Sequence, residues 1–240
     1  DSVLMPPMEM SGDMDEGDMS EEDMGNVDEM SEDMNMAELD NTMPIVRVAH
    51  FAATAPAVDI YVNGEATFTG VTFPAVTNWV NLPEGTYDFA IAPADTSIDD
   101  AVLTLEGVEI AFTEDSRLTL AAIGSLEDGT FTVQPFAENF ATLVEGEGRV
   151  EIFHAIEGAP SVDIIANDSV ELATILGYPG TLNGNDGNFS TDVLTGTYDI
   201  DVNVAGTTDA LLTAEGFEVS QVNSYLIAAV GTPDNPQLFV

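Results

Sequence analysis

After residue 44 the chain alternates apolar and polar side chains at period two, in short runs separated by turn-forming residues. "IVRVAHF" (45–51) and "VDIYVNG" (58–64) open the pattern, and each leads into a segment rich in Gly, Asn, Pro or Ala. "GTYDFAIAP" (85–93), "AVLTLEGVEI" (101–110), "SRLTLAAIG" (116–124) and "TFTVQPF" (130–136) continue it. No stretch carries a helical stripe of useful length. About seven short strands in roughly 95 residues predicts an antiparallel β-sandwich of immunoglobulin-like type, with a small barrel as the alternative.

The pattern occurs twice. "VRVAHFAATAPAVDIYVNGE" (46–65) aligns without gaps on "VEIFHAIEGAPSVDIIANDS" (150–169). His50 falls on His154, Asp59 on Asp163 and Asn63 on Asn167. "PEGTYDFAI" (83–91) matches "LTGTYDIDV" (194–202), and "SRLTLAAIG" matches "SYLIAAVG" (224–231) with one gap. A duplicated unit is therefore expected. The boundaries read from it are an arm at 1–43, a first domain at 44–136, a linker at 137–148 and a second domain at 149–240. The fold class expected is all-β: two tandem immunoglobulin-like antiparallel β-sandwiches preceded by an extended, acidic, Met-rich N-terminal arm.

The order R-V-x-H, A-P-x-V-D-I-Y-V-N-G, G-T-Y and L-x-x-A-A-I-G resembles the domain of unknown function numbered 4397. The resemblance covers roughly 45–124 and 149–231. The second copy departs from it, with Glu151 where Arg47 stands and Ala166-Asn167-Asp168 for Val62-Asn63-Gly64. The resemblance implies secreted or surface-attached β modules, often in tandem, and implies no activity.

Charge changes the picture more than any motif. The 240 residues hold 44 acids, three arginines, no lysine and no cysteine, for a net charge of −41. Residues 1–43 contain fifteen acids, no base and all ten methionines, so the remainder still carries a net −26. A field of this sign repels nucleic acid and anionic lipid, and it favours cations or basic partners. Without cysteine there is neither a disulfide framework nor a thiolate metal site. No apolar run approaches the roughly 20 residues needed to span a bilayer. The sequence begins at Asp1, and the expectation is an exported chain after signal-peptide removal, extracellular or at the cell surface.

Candidate chemistry is thin. His50 and His154 share strand parity with inward valines, so each is expected to brace the nearby Ala-Pro turn, while Asp59 and Asp163 are expected to bond turns. No recurrent nucleophile accompanies them, so an enzyme is not expected. Calcium is the one cofactor left open, with Asp95, Asp99, Asp100 and Asp186 as weak candidate ligands in oxygen-rich loops. Arg47, Arg117 and Arg149 are expected to form ion pairs or bridges to carbonyls. Asn167 and Asn188 head N-glycosylation triplets.

In the arm, Met14, Met19, Met24, Met30 and Met34 step irregularly and form no stripe in helix or strand. Mixed thioether and carboxylate ligands suit no single metal well. Val3, Leu4, Met5, Met8, Met10 and Met43 lie in short extended candidates that can add as strands to a neighbouring subunit. The expected function is a non-enzymatic extracellular structural protein that polymerises with itself into a filament or surface layer. The alternative is a monomeric surface module binding carbohydrate or cations, with the arm as a spacer or metal-binding segment.

Overall fold

The computed structural model describes residues 39–179 and 187–240. The first half supplies β1 (Ile45–His50), β2 (Val58–Val62), β3 (Glu65–Val71), β4 (Ala75–Val76), β5 (Val80–Asn81), β6 (Gly85–Pro93), β7 (Leu103–Ile110), β8 (Ser116–Ile123) and β9 (Thr132–Asn139). The second supplies β10 (Glu147–His154), β11 (Val162–Ala166), β12 (Val170–Leu176), β13 (Asn188–Leu194), β14 (Gly196–Val204), β15 (Ala210–Val219), β16 (Ser224–Thr232) and β17 (Asn235–Phe239). Among the described residues the only helical element is a 3₁₀ turn, Ile98–Asp100. None of their helices is long and apolar enough to cross a membrane.

The strands form four sheets, and the second pair repeats the strand order of the first. One sheet of the first half runs β4–β1–β8–β9, with β5 also on β1, and the other runs β3–β2–β6–β7. Their counterparts are β13–β10–β16–β17 and β12–β11–β14–β15. β1 runs parallel to β8, and β10 parallel to β16, while the hairpin neighbours are antiparallel. This order departs from the expected immunoglobulin-like one. In an immunoglobulin constant domain the second and third strands lie in opposite sheets; here β2 pairs directly with β3, and β11 with β12. The reason lies in the turns: Val62-Asn63-Gly64-Glu65 is short enough to close a hairpin, which keeps both strands in one sheet.

Each half has its own core. Val46 and Val48 from one sheet meet Val58, Ile60 and Ile91 from the other, and Val150 and Ile152 meet Val162, Ile164 and Val202 in the same way. A third cluster joins the halves. Ala49, Phe51, Ala121, Ile123 and Phe136 pack with Phe153, Ala155, Leu226, Ala228 and Val230. These residues have the opposite parity to the core-facing valines, so β1, β8, β10 and β16 are buried on both faces. That corrects the reading of "IVRVAHF" as a strand with one outward face. The runs Leu120–Ile123 and Leu226–Val230 are apolar at every position because neither face meets water there.

Ala49, Ala121 and Ala228 are fully buried (0 % exposed), and their small side chains bring the two sheets close enough for Phe136 to stack on Phe153 at 4.5 Å between ring centroids. The described residues accordingly form one compact unit. The segment read as a linker contains the end of β9 and the start of β10.

Gly124 and Gly231 close the repeated "AAIG" and "AAVG" motifs at positive φ, +82° and +105°. A Cβ at either site would collide with a backbone oxygen, of Thr130 or of Asn235, so only glycine fits.

Phe153→Ala should cost about 3–5 kcal/mol of stability, measured by chemical denaturation, and should open the 140–146 segment to limited proteolysis. Unchanged stability would mean that the shared face contributes little.

Candidate functional site

The repeat-equivalent polar residues turn out to be clamps on the backbone. Asp59 is 7 % exposed and accepts N–H bonds from Gly70 (2.7 Å) and Asp95 (3.0 Å). Asp163 accepts from Ile175 (2.7 Å) and Gly206 (2.7 Å). All four donors sit at positive φ, where a strand irregularity or turn swings the amide out of its ladder. The β2–β3 and β11–β12 registers both shift beside the aspartate.

A second clamp follows in "GTYD". Asp88 accepts from Gly107 N and Asp199 from Gly216 N, each at 2.8 Å, beside register shifts in β6–β7 and β14–β15. Asn63 and Asn167 accept from the amides of these same aspartates at 2.9 Å. Tyr87 and Tyr198 donate their hydroxyls to Pro83 O (2.8 Å) and Leu194 O (2.7 Å). The roles of Asp88, Asp199 and the two tyrosines were not assigned from sequence, although the recurring "GTYD" carried the signal.

His50 and His154 are buried, and their Nε2 atoms lie 2.9 and 3.1 Å from Pro56 O and Pro160 O. A carbonyl only accepts, so Nε2–H donates to it and Nδ1 is left as an acceptor; His154 Nδ1 accepts from Ile156 N at 3.2 Å. Burial holds both imidazoles below their ordinary pKa, so both are neutral. Neither reaches the aspartate nine residues on, whose two oxygens are occupied by backbone amides.

The second concentration of polar chemistry lies between the halves, where all three arginines gather. Arg47 donates from Nε and Nη2 to Glu138 Oε1 at 3.1 and 2.7 Å, and from Nε to Thr119 at 3.0 Å. Thr119 also donates to Glu138. Arg149 grips Asp192 with two bonds, 2.6 and 2.9 Å, and its Nη1 donates to Ala141 O at 2.8 Å. Arg117 lies over the Phe140 ring at 4.0 Å.

Glu151, the residue standing where Arg47 stands in the first half, is 1 % exposed. Its Oε1 accepts from Asn139 N and Ser190 Oγ, both at 2.8 Å, and its Oε2 has no partner among the described residues. Burial pushes the carboxyl up to about 7, with the Glu138 charge adding to the rise and Asn139, Ser190 and Arg149 opposing it.

The remaining sequence candidates are dispersed. Asp95, Asp99 and Asp100 are exposed, and Asp100 caps the 3₁₀ turn by accepting from Ser97 N and Oγ, both at 3.3 Å. Asp186 lies outside the described residues, as do Val3, Leu4, Met5, Met8 and Met10. No group of three or more His, Asp or Glu among the described residues is placed to hold a metal, so the calcium reading finds no support. The cause is visible in the clamps: Asp59, Asp88 and Asp100 direct their carboxylates at nearby backbone rather than at each other.

Met43 lines a groove on the first half, beside Arg117 and Phe140. The stretch before it is held to the body by Asn81, which accepts from Asp40 N and donates to Asp40 O, both at 2.8 Å. Asn167 is exposed, with its Oδ1 engaged as above, and Asn188 opens β13 half-buried.

Comparison with known proteins adds a family. The Domain of unknown function (DUF4397) matches residues 44–165. The chain belongs to this family. The DUF4397 match takes in the whole first half and runs on through β10 into β11, so it includes β1, β8, β9 and β10 of the joining face but not β16. No curated protein matches.

Solved structures with some likeness include the Bacillus anthracis TIE protein (14 % identity, 77 % of this chain and 32 % of that one, TM-score 0.23). This chain thus spans about a third of that protein's length. Others are a family 26 carbohydrate-binding module of Eubacterium rectale in complex with maltoheptaose (9 %, 81 % and 96 %, 0.24) and a Bacteroides fragilis protein provisionally assigned to cell adhesion (10 %, 81 % and 96 %, 0.22).

Two substitutions separate the clamps from the joint between the halves. Asp59→Ala leaves the Gly70 and Asp95 amides without their charged acceptor and should cost about 1–3 kcal/mol at neutral pH. Glu151 behaves oppositely. Its carboxyl titrates higher in the folded chain, about 7, than its ordinary 4.5. Between those values the folded form keeps a proton that the unfolded form has lost, so stability falls as pH rises through that window. Glu151→Gln should therefore gain about 1–3 kcal/mol near pH 8 and nothing below about pH 4.5, read from denaturation midpoints across pH. A pH-independent difference would place the titration elsewhere.

Proposed function

We propose that this DUF4397 protein is a non-enzymatic extracellular structural protein. On this reading it is a pair of tandem β-sandwich modules, immunoglobulin-like in layering rather than in strand order, preceded by an acidic arm. The modules form one rigid block that serves as a subunit of a filament or surface layer. The observation that carries the proposal is the use of the repeated polar residues. Asp59, Asp88, His50 and their counterparts all bond their own backbone, which reinforces a scaffold and leaves no nucleophile–base pair assembled among the described residues.

Exposed sheet edges support the assembly part of the reading. Among the described residues β3, β7, β12 and β15 each have one hydrogen-bonded neighbour, so each presents a row of backbone groups to an added strand. Lysine, a common guard of such edges, is absent from the chain. Copies carrying −41 repel one another, so cations or high salt must accompany assembly.

A second reading, a surface binding module, is favoured by the aromatic groove beside Arg117.

Removing residues 1–38 is the sharper truncation, because it spares the Asp40–Asn81 contact. The shortened chain should stay folded and monomeric by light scattering, while the full chain forms assemblies visible by electron microscopy in high salt or with divalent cations. Assemblies that persist without the arm would remove it from the mechanism.

A further inference from the structure

Two of the three arginines are fully engaged, and the third is not. Among the described residues Arg117 makes no ion pair and no hydrogen bond: Glu138, its cross-strand neighbour, is taken by Arg47 and Thr119. Its guanidinium instead lies 4.0 Å over the Phe140 ring and 5.5 Å from the Trp79 ring centroid. The rings restrain a fork that can receive a carboxylate through two parallel bonds. The Glu138 charge acts on it, but no carboxylate among the described residues bonds it, and in a chain with 44 acids that is the exception.

The second half shows the contrast. Val46 pairs with Leu118 and Val150 with Tyr225, so Ser224 occupies the position equivalent to Arg117 and that copy carries no cation there. Arg117 instead faces a groove of about 680 Å³, within the size range of small-ligand sites. Phe112, 39 % exposed, and Phe140 supply ring faces, Asn41 an amide, and Glu114 and Asp115 acceptors.

We propose that this groove binds a sugar bearing one carboxylate, with the carboxylate on Arg117, a ring face on Phe112 or Phe140, and hydroxyls donating to Glu114 or Asp115. This rests on the binding-module reading and is independent of polymerisation. Three observations select the class. The −41 field excludes polyanionic chains and tolerates a single charge. The carboxylates beside the arginine accept from hydroxyls but would repel a second acidic group. The groove backbone is already paired, with Ser116 N on Thr113 O, Phe112 N on Glu84 and Phe140 N on Asp115 O, so it offers no edge for a peptide strand.

Titration calorimetry of the full chain with glucuronic acid, glucose and an acidic tetrapeptide tests the assignment. Glucuronic acid should bind about ten-fold or more tighter than glucose, a preference that Arg117→Gln abolishes and Arg117→Lys restores only in part. Phe112→Ala, a change at an exposed ring, should weaken both sugars without moving the melting temperature, and it serves as the test if the arginine variants do not fold. Equal affinity for the two sugars overturns the carboxylate assignment while leaving a binding surface. Tighter binding of the tetrapeptide overturns the sugar class. No saturable binding at millimolar concentrations overturns both the site and the binding-module reading.

Discussion

The structure depends on one contact, the face-to-face burial of the β1–β8 sheet against the β10–β16 sheet. It removes from water the outer faces of the four most apolar strands and turns two halves into one block. Alanines set its spacing and Phe51, Phe136 and Phe153 fill it. At its polar end the same contact takes in Glu138, Arg149 and Glu151, all nearly inaccessible. Burying charges is costly unless each finds a partner. Arg47 answers Glu138 and Arg149 answers Asp192, while Glu151 is held toward its protonated form. In a chain almost without bases, the three it has are concentrated at this joint, where desolvation makes an ion pair or a stacked cation matter most.

The clamps do the corresponding work inside each half. A sheet irregularity or turn swings a backbone N–H away from its ladder, and a carboxylate that accepts from it fixes the local conformation. Asp59 and Asp163 each hold two such amides, and Asp88 and Asp199 one each. The same carboxylates that make the chain acidic therefore serve, at four positions, as replacements for missing strand partners. Ile175 shows the strength of the constraint. A β-branched residue at φ +53° is strained, yet its amide reaches Asp163 as the glycine amide reaches Asp59 in the first copy.

Much of this was legible in the sequence, for physical reasons that differ by feature. Period-two alternation is local, so "VDIYVNG" and "GTYDFAIAP" revealed strands directly, and the gap-free alignment of 46–65 on 150–169 exposed the duplication. The strand order was not legible. β1 pairs with β8 in parallel, Val48 beside Leu120, and nothing in either segment encodes a contact across some seventy residues. Double-sided burial was written in "LTLAAIG" and "LIAAVG", whose continuous apolar runs fit a strand without a wet face better than an alternating one. Arg117 was expected to form an ion pair or bridge a carbonyl like the other two arginines, because its scarcity was visible in the sequence and the engagement of Glu138 by Arg47 was not.

Divergence between the copies falls where the joint requires it. Interior positions keep their residues: His50 and His154, Asp59 and Asp163. Outer-face positions change: Arg47 becomes Glu151, and Ile45 becomes Arg149. The reason lies in what each position faces. β9 delivers Glu138 to Arg47, whereas at 151 the Asn139 N–H and the Ser190 hydroxyl both donate to one carboxylate oxygen. An arginine at 151 would set donors against those donors. A glutamate there can shed its charge by taking a proton, which an arginine cannot do by losing one. Two identical copies would be unable to satisfy this joint, so the asymmetry of the duplicated chain is a condition of the block rather than drift upon it.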